Sequence, residues 1–419
     1  MTRAWKVISD FSLLLISGAV IALVWCNVAP ESYFHIVDSV ILKNDYVGHK
    51  VVSASGDTVY KVTFHFLVND ILMAFFFAIA GKEVWEAVAL KNGDLRGKRA
   101  ITPLFAAAGG MVAPVMVYLG LALMFGSETY SAVANGWAVP TATDIAFSYL
   151  VGRIIFGRGH PAVKFLLLLA IADDAAGLLI LAIFYGKGEL NPVWMLLPVV
   201  AVVITYMLFN WLPLRLDKGR IDKPVSSMVR NKLSFWPYVV AGIASYYGFQ
   251  EAGIHPALSL VPVVVAVPHA DRDFGIFAAT EKYRTDLLND IEHKLKFPVE
   301  IILFFFGFAN AGVEFAAIGV PTLLVLSGLL VGKPVGILLF GWFAAYPLKF
   351  GMPAGMRIPD LLIVGFIAAI GFTVALFVAS VAFGRGDIQD AAKMGALLSL
   401  AGALPALAVA QFFPIKKIP

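Results

Sequence analysis

Apolar runs long enough to cross a bilayer, about 20 residues each, follow one another along nearly the whole chain. Twelve can be marked: 11–29, 66–90, 101–125, 141–156, 164–185, 193–213, 236–249, 254–268, 298–317, 321–347, 359–383 and 388–413. A water-soluble fold needs a polar shell that this pattern cannot supply. The 60% hydrophobic and 14% charged residues, with a mean hydropathy of +0.83, agree. The runs predict an all-α polytopic membrane protein with twelve transmembrane helices, forming one domain over residues 1–419. The N-terminal stretch has the basic start of a signal peptide. Its apolar part is longer than usual and no clean small-x-small site follows, so it reads as an uncleaved first span. The sole cysteine, Cys26, excludes an internal disulfide.

The loops set the orientation. With the N-terminus placed in the cytoplasm and residues at span ends counted with the adjoining loop, 24 of the 32 Lys and Arg residues fall in cytoplasmic segments and 6 in outward ones, while Lys82 and Lys333 lie deep inside spans. Such a bias favours an even number of spans with both termini cytoplasmic. The net charge of only +4 is spread over these loops, so nothing points to nucleic acid. The long outward segment 30–63 contains two alternating apolar-polar stretches around Ser55-Gly56-Asp57, which predict a short periplasmic β-hairpin over 44–63. A lone hairpin is marginal in water. Pairing with a second copy, hence a homodimer, is the expectation.

Charged side chains near the bilayer centre cost about 2.5 to 3.5 kcal/mol on insertion scales, so those set deep in the runs, with the acids and histidines at two span mouths, are functional candidates. They are Asp70, Lys82 and Glu83 in span 2, Asp144 in span 4, Asp173 and Asp174 in span 5, and Lys333 in span 10. Glu292, His293 and Glu300 lie at the mouth of span 9, and His255 starts span 8. Asp173 and Asp174 point about 100° apart on a helix, yet both can border one cavity. Two such carboxylates with little water between them cannot ionise independently. A cation and protons then compete for the same oxygens, which is the coupling an exchanger needs. Asp144 also reads as a helix cap, because "WAVPTATDIAF" puts Pro140 and Thr143 at the start of an apolar run. Span 11 is interrupted by Gly371 and Thr373.

Taken together, "VPTATDIAF" (139–147), "LAIADDAAG" (169–177), "FGFANAGV" (306–313), "VGKPVGI" (331–337) and "IGFTVALFVASVAF" (370–383) resemble, in order and spacing, the NhaA sodium/proton antiporters of bacterial inner membranes. "VNDILMAFFFAIAGKEV" (68–84) and "AGIHPAL" (252–258) belong to the same pattern, and the resemblance runs from about residue 11 to 413. It implies inverted-topology repeats in which broken spans 4 and 11 cross near the membrane middle. The link between interrupted segments and a midplane site is itself drawn in part from this family. It implies that Asp174 is the main cation and proton carboxylate, that Thr143 and Asp144 are ligands or charge compensators, and that Asp173 pairs with Lys333 until sodium enters. On this reading Asp174, Asp173 and Thr143 are the Na+ ligands.

The resemblance further implies electrogenic exchange of Na+ or Li+ for protons without a cofactor, regulation by pH, and an inner-membrane location. The pH response would reside in a cytoplasmic-mouth cluster matching Glu83, His255, Glu292 and His293, with Asp70 near the outer entrance. Lys82, Trp85 and Glu86 depart from the family pattern. A sodium- or proton-coupled solute symporter is the main alternative, but the spans offer few polar side chains to seat a solute. An intramembrane aspartyl protease is remote: "GRGD" (384–387) lies beyond span 11 and has no tyrosine-aspartate counterpart.

Overall fold

A computed structural model of the chain describes residues 13–52, 58–89, 95, 97, 100–157, 159–186, 190–218, 224–268, 287–413 and 415. The elements used below are helices α1 (Leu13–Val28) and α2 (Pro30–Val37), then strands β1 (Val40–Asn44), β2 (His49–Val52) and β3 (Thr58–Thr63). Helices follow to the end: α3 (Phe64–Ala89), α4 (Ile101–Met124), α5 (Ile145–Phe156), α6 (Pro161–Phe184), α7 (Pro192–Leu216), α8 (Pro224–Leu233), α9 (Trp236–Glu251), α10 (Pro256–Ala266), α11 (Leu287–Asn310), α12 (Val320–Ala345), α13 (Ile358–Ala368), α14 (Phe372–Ala382) and α15 (Asp387–Phe412).

Among the described residues, each apolar run of the sequence contains helix. By length and composition, six unbroken helices among the described residues can cross a membrane (α3, α4, α6, α7, α12 and α15), or seven when the pair α13 and α14, bent by 50°, is counted as one. The remaining runs fall short for identifiable reasons. The described part of α1 and helix α9 have 16 residues each, α10 is shorter still, α5 is preceded by a break, and the first half of α11 carries charge.

The chain divides into two compact units, Met1–His35 with Asp94–Ile180 and Leu303–Pro419, and Ile36–Gly93 with Leu181–Ile302. In the first unit helices approach through glycine, as small residues permit in a membrane where no hydrophobic force separates helix from lipid. A Cβ added at Gly336 of α12 would fall on the Gly109 carbonyl of α4, one at Gly332 would come within 2.6 Å of Pro114 Cα, and one at Gly365 of α13 within 2.7 Å of Pro334 Cα. α12 is thereby clamped between α4 and α13. Gly336→Val is expected to lower the thermal stability of the detergent-solubilised protein by about 3 kcal/mol, the upper end for overpacking, whereas Gly120→Ala, inside α4 where the added Cβ meets nothing within 4 Å, does not lower the melting temperature.

In the second unit the hairpin is present but larger than expected. β2 and β3 pair antiparallel with Val51 opposite Val59, and β1 pairs on the other edge of β3, giving the order β1-β3-β2. Residues 53–57, which hold the expected Ser55-Gly56-Asp57 turn, lie outside the described residues. The sequence hid β1 because Val40, Ile41, Leu42 and Lys43 are all exposed, so no inward-outward alternation marks it.

Candidate functional site

The site of the first unit is built on two broken helices. After the single turn Val139–Thr141 the backbone runs extended through Ala142 to Asp144, where α5 begins; α13 stops at Ala368 and α14 restarts at Phe372. The two breaks satisfy each other's backbone, since the Asp144 N–H donates to the Ile370 carbonyl at 2.7 Å. Backbone freed from a helix inside a membrane has to find such partners. Ser148 in α5 adds a bond to the Ile367 carbonyl at 3.0 Å.

Asp144 caps both restarted helices. Its Oδ1 accepts the Phe147 N–H of α5 at 3.1 Å, and its Oδ2 accepts the Thr373 N–H and hydroxyl of α14 at 3.2 and 2.7 Å. Each helix start presents partial positive charge and unsatisfied N–H groups, so one carboxylate compensates two dipoles. The sequence marked Asp144 as a cap for its own helix. The second helix, 229 residues away, was not legible. Thr373→Val removes the hydroxyl donor from this buried carboxylate and is expected to cost about 1.5 to 3 kcal/mol of stability, read as a lower melting temperature that Thr373→Ser restores.

Asp173 lies on α6 and is 3% exposed, facing Lys333 at 0%. The Lys333 ammonium sits 3.0 Å from Asp173 Oδ2 and also donates to the Thr141 carbonyl at the first break. It follows a widened π-helical turn, Gly328–Gly332 in α12, a distortion that recurs at functional sites. The one hydroxyl proton of Thr143 reaches Asp173 Oδ2 at 2.7 Å, with the Ala368 carbonyl at 3.1 Å as an alternative acceptor. Asp173 Oδ1 is buried and accepts no hydrogen bond among the described residues. Asp174 is partly exposed, within electrostatic range of Asp173, Asp144 and Lys333, and among the described residues it accepts no hydrogen bond. One ammonium thus faces Asp173 with Asp174 nearby, and Asp144 lies within electrostatic range of Asp174. With all four ionised the cluster would carry two uncompensated negative charges in a dry environment, which is too costly to persist without bound protons or a cation.

Comparison with known proteins agrees with this chemistry. The family model described as Na+/H+ antiporter 1 matches residues 5–410. A relative named Na(+)/H(+) antiporter NhaA from Jannaschia sp. is 61% identical over 417 residues, covering 100% of this chain and 99% of its own length. The chain belongs to the NhaA family of Na+/H+ antiporters. Further relatives of the same name are 43% identical in Desulfitobacterium hafniense, over 98% of this chain and 96% of theirs, and 39% identical in Geobacter sulfurreducens, over 100% of both. As an NhaA family member the chain is a multi-pass membrane transporter, not an enzyme, and its chemistry is that of Na+ and H+ without a cofactor.

In the second unit the described residues are grouped differently from the expectation drawn from the sequence. Glu83, His255, Glu292 and His293 were expected in one cluster, with Asp70 apart from it. His255 Nε2 instead lies 3.7 Å from Asp70 Oδ1, both side chains being buried. Asp70 and Glu83 are both on α3, and 13 residues of helix separate them by about 20 Å, so His255 groups with Asp70 and away from Glu83. His255 also caps its own turn, Nδ1 accepting the Ala257 N–H at 3.3 Å. Asp70 occupies a π-helical turn, Leu67–Leu72. The side chains of Glu292 and His293 lie outside the described residues. Two of the residues that the sequence reading set apart compensate each other, Lys82 pairing with Glu86 at 2.7 Å one turn along α3, with Glu83 at 3.7 Å.

Proposed function

We propose that this chain extrudes Na+, and Li+, in exchange for more than one proton per cycle. Exchange is electrogenic, takes place across the bacterial inner membrane and is regulated by pH. What carries the reading is the pairing of an unbonded carboxylate, Asp174, with a neighbouring buried ion pair, Asp173 and Lys333. Proton-loaded, Asp174 holds a proton and Asp173 is neutralised by Lys333. A cation entering at Asp174 takes up the Oδ1 of Asp173 and the hydroxyl oxygen of Thr143, and its charge replaces that of the ammonium at Asp173. Lys333, left with the Thr141 carbonyl alone, gives up its proton to the side from which Na+ has entered, the cytoplasm during extrusion, and takes one back from the periplasm once Na+ has left. Asp144 keeps its bonds to the two helix starts throughout.

The architecture that suits this function has twelve spans with both termini cytoplasmic and inverted repeats crossing at the two breaks. The three-stranded sheet offers edges for pairing with the same sheet of a second copy in a homodimer. The test is direct. Sodium chloride added to the purified protein in weakly buffered detergent, with no solute present, releases protons; a solute symporter releases none until its organic substrate is supplied.

A further inference from the structure

The loop between α5 and α6 holds a buried histidine that the transport chemistry does not use. His160 is 6% exposed, and its ring stacks on Phe156, the last residue of α5, with centroids 5.0 Å apart and planes inclined by 21°. Its Nδ1 accepts the Ala162 N–H at 3.2 Å and its carbonyl accepts the Val163 N–H at 3.0 Å. His160 therefore caps α6, the helix that carries Asp173 and Asp174. Nδ1 accepts only while the imidazole is neutral, because both nitrogens of the imidazolium donate.

The start of α13 lies against the same cap. A Cβ at Gly355 would stand 3.3 Å from Pro161 Cγ, which places the segment leading into α13 directly on the first residue of α6. Asp360, fully buried in the first turn of α13, accepts the Arg357 N–H at 2.7 Å and faces the Arg357 guanidinium at 3.6 Å. The other end of α13 is Ala368, whose carbonyl borders Thr143.

We propose that His160 is a positioning residue for the transport site, acting through the cap of α6. Neutral, it holds the helix start that sets Asp173 and Asp174 against Thr143. Protonated, it gives up the Ala162 N–H, turns to Asp360 and loosens the contact between the starts of α6 and α13, lowering transport on the acid side of neutrality. The inference rests on the antiporter reading above.

Charges around the ring set the direction. Burial pulls His160 below the ordinary imidazole range; Asp360 acts against that shift and Arg357 with it. Arg153 of α5 is turned over the Tyr149 ring at 5.2 Å, Lys164 of α6 is exposed, and Arg158 lies outside the described residues. The unfolded chain takes up this proton at a higher pH than the folded one. The cap contribution is therefore complete above the ordinary imidazole value and is lost as pH falls below it.

The test compares wild type with His160→Asn, which caps without titrating, and with His160→Ala, which does not cap. Sodium-driven proton movement in proteoliposomes is recorded against pH, and amide hydrogen exchange at Ala162 and Val163 is measured over the same range. His160→Asn is expected to move the acid limb of the rate profile down by at least about half a pH unit and to keep the two amides protected where wild type loses protection; His160→Ala loses protection at every pH. A His160→Asn profile and exchange pattern superimposable on wild type overturns the proposal. A wild-type protein that moves no protons with sodium refutes the antiporter reading instead, and the exchange comparison still decides the cap.

Discussion

Asp174→Asn abolishes sodium-driven proton movement in proteoliposomes, lowering it by at least about a hundredfold, the scale of losing about 2.7 kcal/mol of ion binding. The reason lies in how the three carboxylates are employed. Asp144 uses both oxygens on the starts of α5 and α14. Asp173 uses Oδ2 on Lys333 and Thr143. Asp174 accepts no hydrogen bond among the described residues and retains partial exposure, so it is the group that a hydrated ion can reach and a proton can occupy. Asparagine keeps the volume and removes both the charge and the titration. Asp70→Asn, on a different unit, leaves sodium-coupled exchange in place. Retained exchange in Asp174→Asn with loss in Asp70→Asn would move the ion site to α3.

Lys333→Met lowers the stability of the folded protein by about 3 to 5 kcal/mol, because removing one partner of a buried ion pair strands the other charge. Asp173 would keep Thr143 alone as a donor. The double variant Asp173→Asn with Lys333→Met recovers most of that loss, since no charge is then left unpaired, and the coupling is read from thermal melts of the four proteins as a double-mutant cycle. The double variant also separates structure from transport. It folds like wild type, yet its exchange carries one proton fewer per cycle and becomes insensitive to membrane potential. A double variant as unstable as Lys333→Met would mean that Lys333 serves chiefly to hold the Thr141 carbonyl at the break.

Much of this site could be read in the sequence because its signals are local and physically expensive. Charges in apolar runs stand out, and they marked Asp144, Asp173, Asp174 and Lys333. The break in span 11 was visible as Gly371 and Thr373 within its run, whereas Pro140 and Thr143 marked only a helix start and the break in span 4 was implied by the family resemblance. What escaped was pairing at long range. Nothing near Thr373 says that its hydroxyl donates to Asp144, and nothing near His255 says that its neighbour is Asp70 rather than Glu83. Periodicity likewise gave no access to β1, whose side chains face solvent on both sides, nor to the role of His160, which in sequence is only a histidine before a proline. The count of spans is limited in the same way: hydropathy detects apolar runs, while Ala142 to Asp144 and Ala369 to Gly371 interrupt the helices that those runs form.

The central claim is that Na+ and protons compete at Asp174 while the Asp173–Lys333 pair opens as the ion binds. Titration of sodium into the purified protein, with binding heat and proton release recorded together at several pH values, tests it most directly. Wild type should bind sodium more tightly as pH rises and release more than one proton per ion. Asp174→Asn should neither bind nor release, and the Asp173→Asn, Lys333→Met double variant should release one proton fewer than wild type. Sodium binding to Asp174→Asn with wild-type proton release, or a double variant releasing as many protons as wild type, would contradict the account.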